Sequence, residues 1–140
     1  METDQHLFDN LAEGLKFERN IEIGEDRVIT FMGDDLRVYE TPSMIADMEY
    51  ACRDLLHEHL PPDWDSVGVV VDIEHLAATP MRESVTVQIE IVKITNRKVR
   101  FRCEVYDALE IVGRGYHERF IINVTKHRRR VAEKRARMQQ

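Results

Sequence analysis

The chain has 140 residues, of which 43% are hydrophobic and 33% charged, with a net charge of −6. That suits one water-soluble domain around one core, and no apolar run approaches the length of a membrane span. The charge is uneven: seven Lys or Arg and a single Glu make the segment from Lys126 to Gln140 +6, which leaves −12 on the rest and argues against nucleic-acid binding by the body.

In chain order, the acidic N-terminus "METDQHLFDNLAEGLKFERN" lacks a signal-peptide core, so a cytoplasmic protein is expected. Residues 1–16 read as an N-terminal helical extension, with Leu7, Phe8, Leu11 and Leu15 on one side. "KFERNIEI" alternates enough for a strand. "GEDRVITFMGDDLRVYE" predicts a second strand from Arg27 to Phe31, then a loop through Gly33, Asp34 and Asp35.

"TPSMIADMEYACRDLLHEHLPP" predicts one long helix from Thr41 to Leu60. Thr41 suits the N-cap, Pro42 suits the first helical position, and Pro61-Pro62 ends the helix. Met44, Ile45, Met48, Cys52, Leu55 and Leu56 form the apolar face, while Asp47, Arg53, Asp54 and Glu58 lie opposite. Glu49 sits at the border of that face. A carboxylate there must reach water or find a partner.

The period then changes to two. "SVGVVVDIEHLAATP" aligns Val67, Val69, Val71, Ile73 and His75 on one face. "SVTVQIEIVKI" aligns Val85, Val87, Ile89 and Ile91. "KVRFRCEVYD" aligns Val99, Phe101, Cys103 and Val105. "EIVGRGYHERFIINV" reads as a last strand whose glycines mark a bulge or a close approach of backbones. Turns are expected at Asn96-Arg97 and Ala108-Leu109. Cys52 and Cys103 lack metal-site spacing and are expected to be reduced and packed in the core. The tail "KHRRRVAEKRARMQQ" (126–140) reads as a solvated helix or frayed end that could also meet phosphates. One helix on an antiparallel sheet is an α+β domain, here a single domain over residues 1–140.

Thr41, Glu49 and His75 are polar groups at the rim of the expected apolar cleft. A helix N-terminus supplies positive dipole and backbone donors, suited to a developing oxyanion. Gly68 lets backbone approach a ligand. Such groups suit hydrolysis of an activated acyl compound: Glu49 attacks or draws a proton from water, His75 serves as base or acid, and the Thr41 hydroxyl orients water. Residue types alone leave those roles open.

Four stretches resemble the hotdog-fold thioesterases, in particular the family similar to fluoroacetyl-CoA thioesterase. They are "TPSMIADMEYAC" (41–52), "SVGVVVDIEHLAATP" (66–80), "ESVTVQIEIVKITNRKVRFRCEVYD" (83–107) and "GRGYHERFIIN" (113–123). The resemblance implies a hotdog fold, a long central helix wrapped by an antiparallel sheet. It also implies a homodimer with sites at the subunit interface, a tetramer being left open. It implies an acyl-CoA thioesterase that releases coenzyme A or another pantetheine carrier and needs no cofactor or metal. By position, Thr41, Glu49 and His75 match the catalytic residues, and Gly68 and Arg119 match positions that contact substrate. Where the fluoroacetyl enzyme has an aromatic lid, this chain reads "FMGDDLRVYE", with Phe31 and Met32 as the nearest apolar residues, so a different or broader acyl group is expected. A non-catalytic acyl-CoA-binding or sensing domain is the alternative. A hotdog hydratase fits less well, because the side chain of Asp72 should face away from His75.

Overall fold

The computed structural model describes residues 8–140. Five strands form one antiparallel sheet: β1 (Lys16–Glu22), β2 (Trp64–His75), β3 (Ser84–Thr95), β4 (Lys98–Tyr106) and β5 (Ile111–Asn123). Their spatial order is β1-β3-β4-β5-β2, so β1 and β2 are the edges. Helix α1 (Thr41–Glu58) lies on one face, and helix α2 (Val124–Met138) follows β5. No helix among the described residues is long and apolar enough to cross a membrane.

The core forms where the 3.6-residue stripe of α1 meets the two-residue alternation of the sheet. Met44, Met48, Ala51, Cys52, Leu55 and Leu56 are buried against Val87, Ile91, Val99, Phe101, Cys103 and Val105. Cys52 and Cys103 meet inside this layer with sulfurs 3.9 Å apart, both as free thiols. Gly113 on β5 is glycine for a packing reason: a Cβ there would lie 2.5 Å from the sulfur of Met44, so a side chain would force the Met44 side chain to repack.

Both turn expectations hold. Asn96 sits in the left-handed region, φ 55°, as a two-residue hairpin demands. Between β4 and β5 the Asp107 carboxylate accepts hydrogen bonds from the amides of Leu109 and Glu110 at 2.9 and 3.0 Å.

Four expectations are corrected. The expected strand Arg27–Phe31 is a 3-10 turn at Glu25–Arg27 followed by a single bridge of Val28 to Tyr39. The segment crosses over α1 instead of joining the sheet. Asp47, expected on the solvent side of the helix, is buried beneath that crossing segment. Its carboxylate accepts from Arg27 Nε at 3.1 Å, Arg27 Nη2 at 3.2 Å and the Tyr39 hydroxyl at 2.6 Å. Residues 8–15 run through turns rather than a helix, with Phe8 edge-on to Trp64; the rest of the expected N-terminal helix lies outside the described residues.

The fourth correction concerns β2. Its pairing with β5 shifts between Gly68 and Val70, so Val69 is an extra, bulged residue. The bulge switches the phase of the strand. Ser66 and Gly68 face the helix before it, and Ile73 and His75 face the helix after it, so Val67 does not share a face with His75. Val69, Val70 and Val71 are 51%, 40% and 45% exposed along a free sheet edge.

α2 is a helix across the expected tail, with the Asn123 side chain capping it by accepting from the Lys126 amide at 3.1 Å. None of its residues is buried.

Candidate active site

Thr41 does not cap its helix. Glu40 occupies the N-cap and Thr41 is the first helical residue. The Thr41 hydroxyl is thereby released to meet His75: Oγ1 and Nδ1 are 2.8 Å apart. His75 reaches this point because it ends β2 on the helix-facing phase that the bulge sets. Its second nitrogen, Nε2, is buried with no hydrogen-bond partner among the described residues. Burial holds the imidazole below its ordinary value of 6.5, opposed in smaller part by the backbone at Ala77. A neutral ring with an idle buried nitrogen can take or give a proton. The pair opens onto a shallow cleft of about 290 Å³ walled by Ile29, Val38, Tyr39, Leu76 and Ala77. Phe31, Met32 and Leu36, in the loop between Ile29 and Val38, are exposed.

A second cluster surrounds Gly68. The Glu49 carboxylate lies so close that a Cβ on residue 68 would be 2.9 Å from its Oε2. Arg119 of β5, which pairs with Gly68 across the ladder, brings its Nη1 to 3.7 Å from the same oxygen. The guanidinium is buried, and neutral acceptors fix it. Its Nε donates to Ser66 Oγ at 2.7 Å and its Nη2 to the Ser66 carbonyl at 2.9 Å. Its Nη1 lies 3.1 Å from His117 Nε2. Burial pushes the Arg119 pKa down, with Cys52, Glu49 and Asp65 opposing, yet a guanidinium keeps its charge at any ordinary pH. The Glu49 side chain retains 37% exposure, so water can reach it.

The chain thus brings Thr41 to His75, and Glu49 to Gly68 and Arg119. It does not join the two groups. Among the described residues no hydrogen bond or ion pair links Glu49 to Thr41 or His75, and Glu49 lies eight positions along the helix from Thr41, about 12 Å along the axis. Sequence reasoning missed Ser66 and His117. The signal was present in "HER" within "GRGYHERFIIN": residues 117 and 119 share a face on a strand, and both are buried polar groups, Arg119 opposite Gly68 and His117 with its Cε1 beside the same glycine. No group of three or more His, Cys, Asp or Glu among the described residues could hold a metal ion. A cleft of about 550 Å³ lined by Lys16, Glu18, Gln88, Glu90, Arg102 and Glu104 among others touches neither cluster.

The profile of the family described as "FlK: Fluoroacetyl-CoA-specific thioesterase" matches residues 23–125, which include every residue of both clusters. The chain belongs to that family. It is 33% identical over 97 residues to a fluoroacetyl-CoA thioesterase of Streptantibioticus cattleyicolor, covering 69% of this chain and 70% of that one. A solved structure of the fluoroacetyl-CoA thioesterase FlK superposes with a TM-score of 0.80 at 26% identity, covering 89% and 97% of the two chains. A thioesterase superfamily member from Thermus thermophilus superposes with a TM-score of 0.82 at 24% identity, covering 91% and 96%, and supports the fold. The expected hotdog fold therefore holds, and with it the enzyme class of the family, a thioester hydrolase. Helix α2 lies almost wholly beyond the residues that the family profile matches.

Proposed function

We propose that the chain hydrolyses a small acyl-CoA thioester to the free acid and CoA, in a homodimer whose seam assembles the site. The observation that carries this reading is the Thr41–His75 hydrogen bond of 2.8 Å with its idle buried Nε2, standing apart from a partly exposed Glu49 whose charged partner is Arg119.

A dimer resolves that separation. The free edge of β2 offers unpaired backbone groups and three exposed valines, which another strand can cover. Two copies pairing antiparallel about the exposed run Val69–Asp72 form a two-fold, self-complementary contact. In that register His75 of one copy falls roughly opposite Ser66 of the other, beside the Arg119 that pairs with Glu49. Each site then draws Glu49 from one copy and Thr41 with His75 from the other.

In the site Glu49 acts as general base. It takes a proton from water as the water oxygen adds to the thioester carbon. The hydroxyl of Thr41 and the amides at the start of α1 face the charge that develops on the carbonyl oxygen. The C–S bond breaks, and the proton returns to the CoA sulfur through His75. The apolar walls of the cleft favour a short acyl group, and the exposed Phe31 and Met32 do not close over it as a lid would.

The test is free-thiol release from a panel of short acyl-CoAs. Turnover that disappears in Glu49→Gln and in His75→Ala, with folding intact, supports the hydrolase. Tight acyl-CoA binding without thiol release by the wild type supports a sensing domain instead.

A further inference from the structure

His117 has no step in the reaction above, yet it is 1% exposed. Its ring stacks on Phe101 of β4 with centroids 6.5 Å apart and planes 25° from parallel. A buried imidazole needs partners for both nitrogens. Nδ1 lies 2.7 Å from the Val70 carbonyl, and Nε2 lies 3.1 Å from Arg119 Nη1. Arginine can only donate, so Nε2 accepts and the ring proton sits on Nδ1, donating to Val70. The tautomer is fixed by its neighbours. Val70 is where the β2–β5 ladder resumes after the bulged Val69, so the imidazole ties the bulge to β5.

On its other side the same Nη1 turns to Glu49 Oε2. Ser66 holds the Nε and Nη2 of the guanidinium, while Nη1 is held by His117 and Glu49. Without an acceptor at Nε2, a buried Nη1–H is left unpaired, which is costly enough to reorient the group. We propose that His117 is a positioning residue: as an acceptor it aims Arg119 Nη1 at Glu49, and so sets the place of the carboxylate beside Gly68. The proposal rests on the assignment of Glu49 as the base.

Protonation would break this arrangement. A proton on Nε2 would face the N–H of Arg119, donor against donor and charge against like charge. The charged groups facing the ring are Arg119 and Glu118 from β5 and Glu49 from α1, with the Val70 carbonyl from β2 and uncharged Phe101 from β4. Burial holds the ring below the ordinary histidine value and Arg119 adds to this; Val70, Glu49 and Glu118 oppose. The neutral form holds at neutral pH, and the contact is lost on the acid side.

Two amide variants separate the two bonds. In His117→Gln the side-chain oxygen reaches the position of Nε2 and can accept from Arg119. In His117→Asn the amide nitrogen reaches the position of Nδ1 and can donate only to Val70. His117→Gln is expected to keep a kcat near wild type, with a shallower acid limb because one titrating group is gone. His117→Asn is expected to lose up to about 100-fold in kcat, the scale of a misplaced catalytic group, with KM little changed. Equal kcat for the two folded variants, whether retained or lost, overturns the proposal. Imidazole 15N NMR of the folded wild type needs no turnover: a neutral Nδ1–H ring on His117 at neutral pH supports the proposal, and an Nε2–H ring or an imidazolium overturns it. Should the wild type hydrolyse no acyl-CoA, the functional reading fails by itself, and the tautomer measurement alone decides this one.

Discussion

Gly68 and Glu49 are fitted to each other: the space that a Cβ would fill on residue 68 is occupied, at 2.9 Å, by Oε2 of the carboxylate. His117 Cε1 at 3.2 Å and Arg119 Nη1 at 3.5 Å close the same space. The glycine answers to a side chain of its own protomer as well as to any ligand.

Gly68→Ala therefore displaces the carboxylate rather than the fold, because the nearest atom is the end of a flexible side chain. The expected result is a fall in kcat of at least about tenfold with KM nearly unchanged and a small shift in Tm. Steady-state kinetics beside a thermal melt reads it. An unchanged kcat would mean that the carboxylate has no fixed place at residue 68.

Acid should weaken both stability and turnover. His75 and His117 are each held below 6.5 by burial, so just below that pH the unfolded chain binds more protons than the folded one. Stability from the neutral rings is complete above the ordinary value and is lost as the pH falls through and below it. Melts across about pH 5 to 7.5 should show Tm rising with pH, and the acid limb of kcat/KM should have its midpoint below that of a free histidine. A limb centred above 6.5 would contradict the burial of His75.

Asp47 should matter for stability and not for chemistry. Asp47→Ala strands the buried Tyr39 hydroxyl and removes the carboxylate that holds Arg27, at a cost of about 1–3 kcal/mol. Burial pushes the Tyr39 pKa up, with the hydrogen bond to Asp47 adding to it, so the phenol stays protonated and needs its acceptor. Denaturant unfolding measures the loss. A stability within about 0.5 kcal/mol of wild type would show that the crossing segment does not rely on this carboxylate.

These cases also mark what was legible in the chain. Helix α1 could be read because its limits are local chemistry: Thr41-Pro42 at the start, Pro61-Pro62 after the end, and a stripe from Met44 to Leu56. Strand β4, and β3 as far as Ile91, could be read because the alternation of apolar residues keeps one phase there; β3 shifts register only beyond Ile91, past the residues that carry the pattern. The phase of β2 could not, since a single bulged residue in a run of valines leaves no mark in composition while turning every later side chain over. Asp47 looked like solvent face because what buries it arrives from residues 27 and 39. Thr41 looked like a cap because threonine before a helix usually is one; its hydroxyl serves His75, a contact across 34 residues that no local rule carries. The partial site was legible for a related reason. Thr41, Glu49, His75, Gly68 and Arg119 stood out as residue types, while the separation of the first and third from the rest is a fact of three-dimensional placement.

Helix α2 should be dispensable to the core. It has no buried residue, and Thr125 Oγ1 donating to Asp63 at 2.8 Å anchors its first turn. Removal of residues 127–140 is expected to leave Tm within a few degrees and kcat unchanged. A large loss of either would show that the basic segment packs on the assembled enzyme.

The most direct test of the account is complementation between two inactive chains. Glu49→Gln and His75→Ala are each expected to be inactive alone. On the proposed assembly, equal amounts mixed under conditions that let subunits exchange would form hybrid dimers in which one of two sites holds both a native Glu49 and a native His75. The account predicts recovery of about one quarter of wild-type activity, since half the dimers are hybrids and half their sites are intact. No recovery, with exchange demonstrated, would place both groups in one protomer's site and contradict the assembly of the catalytic residues across the β2 seam.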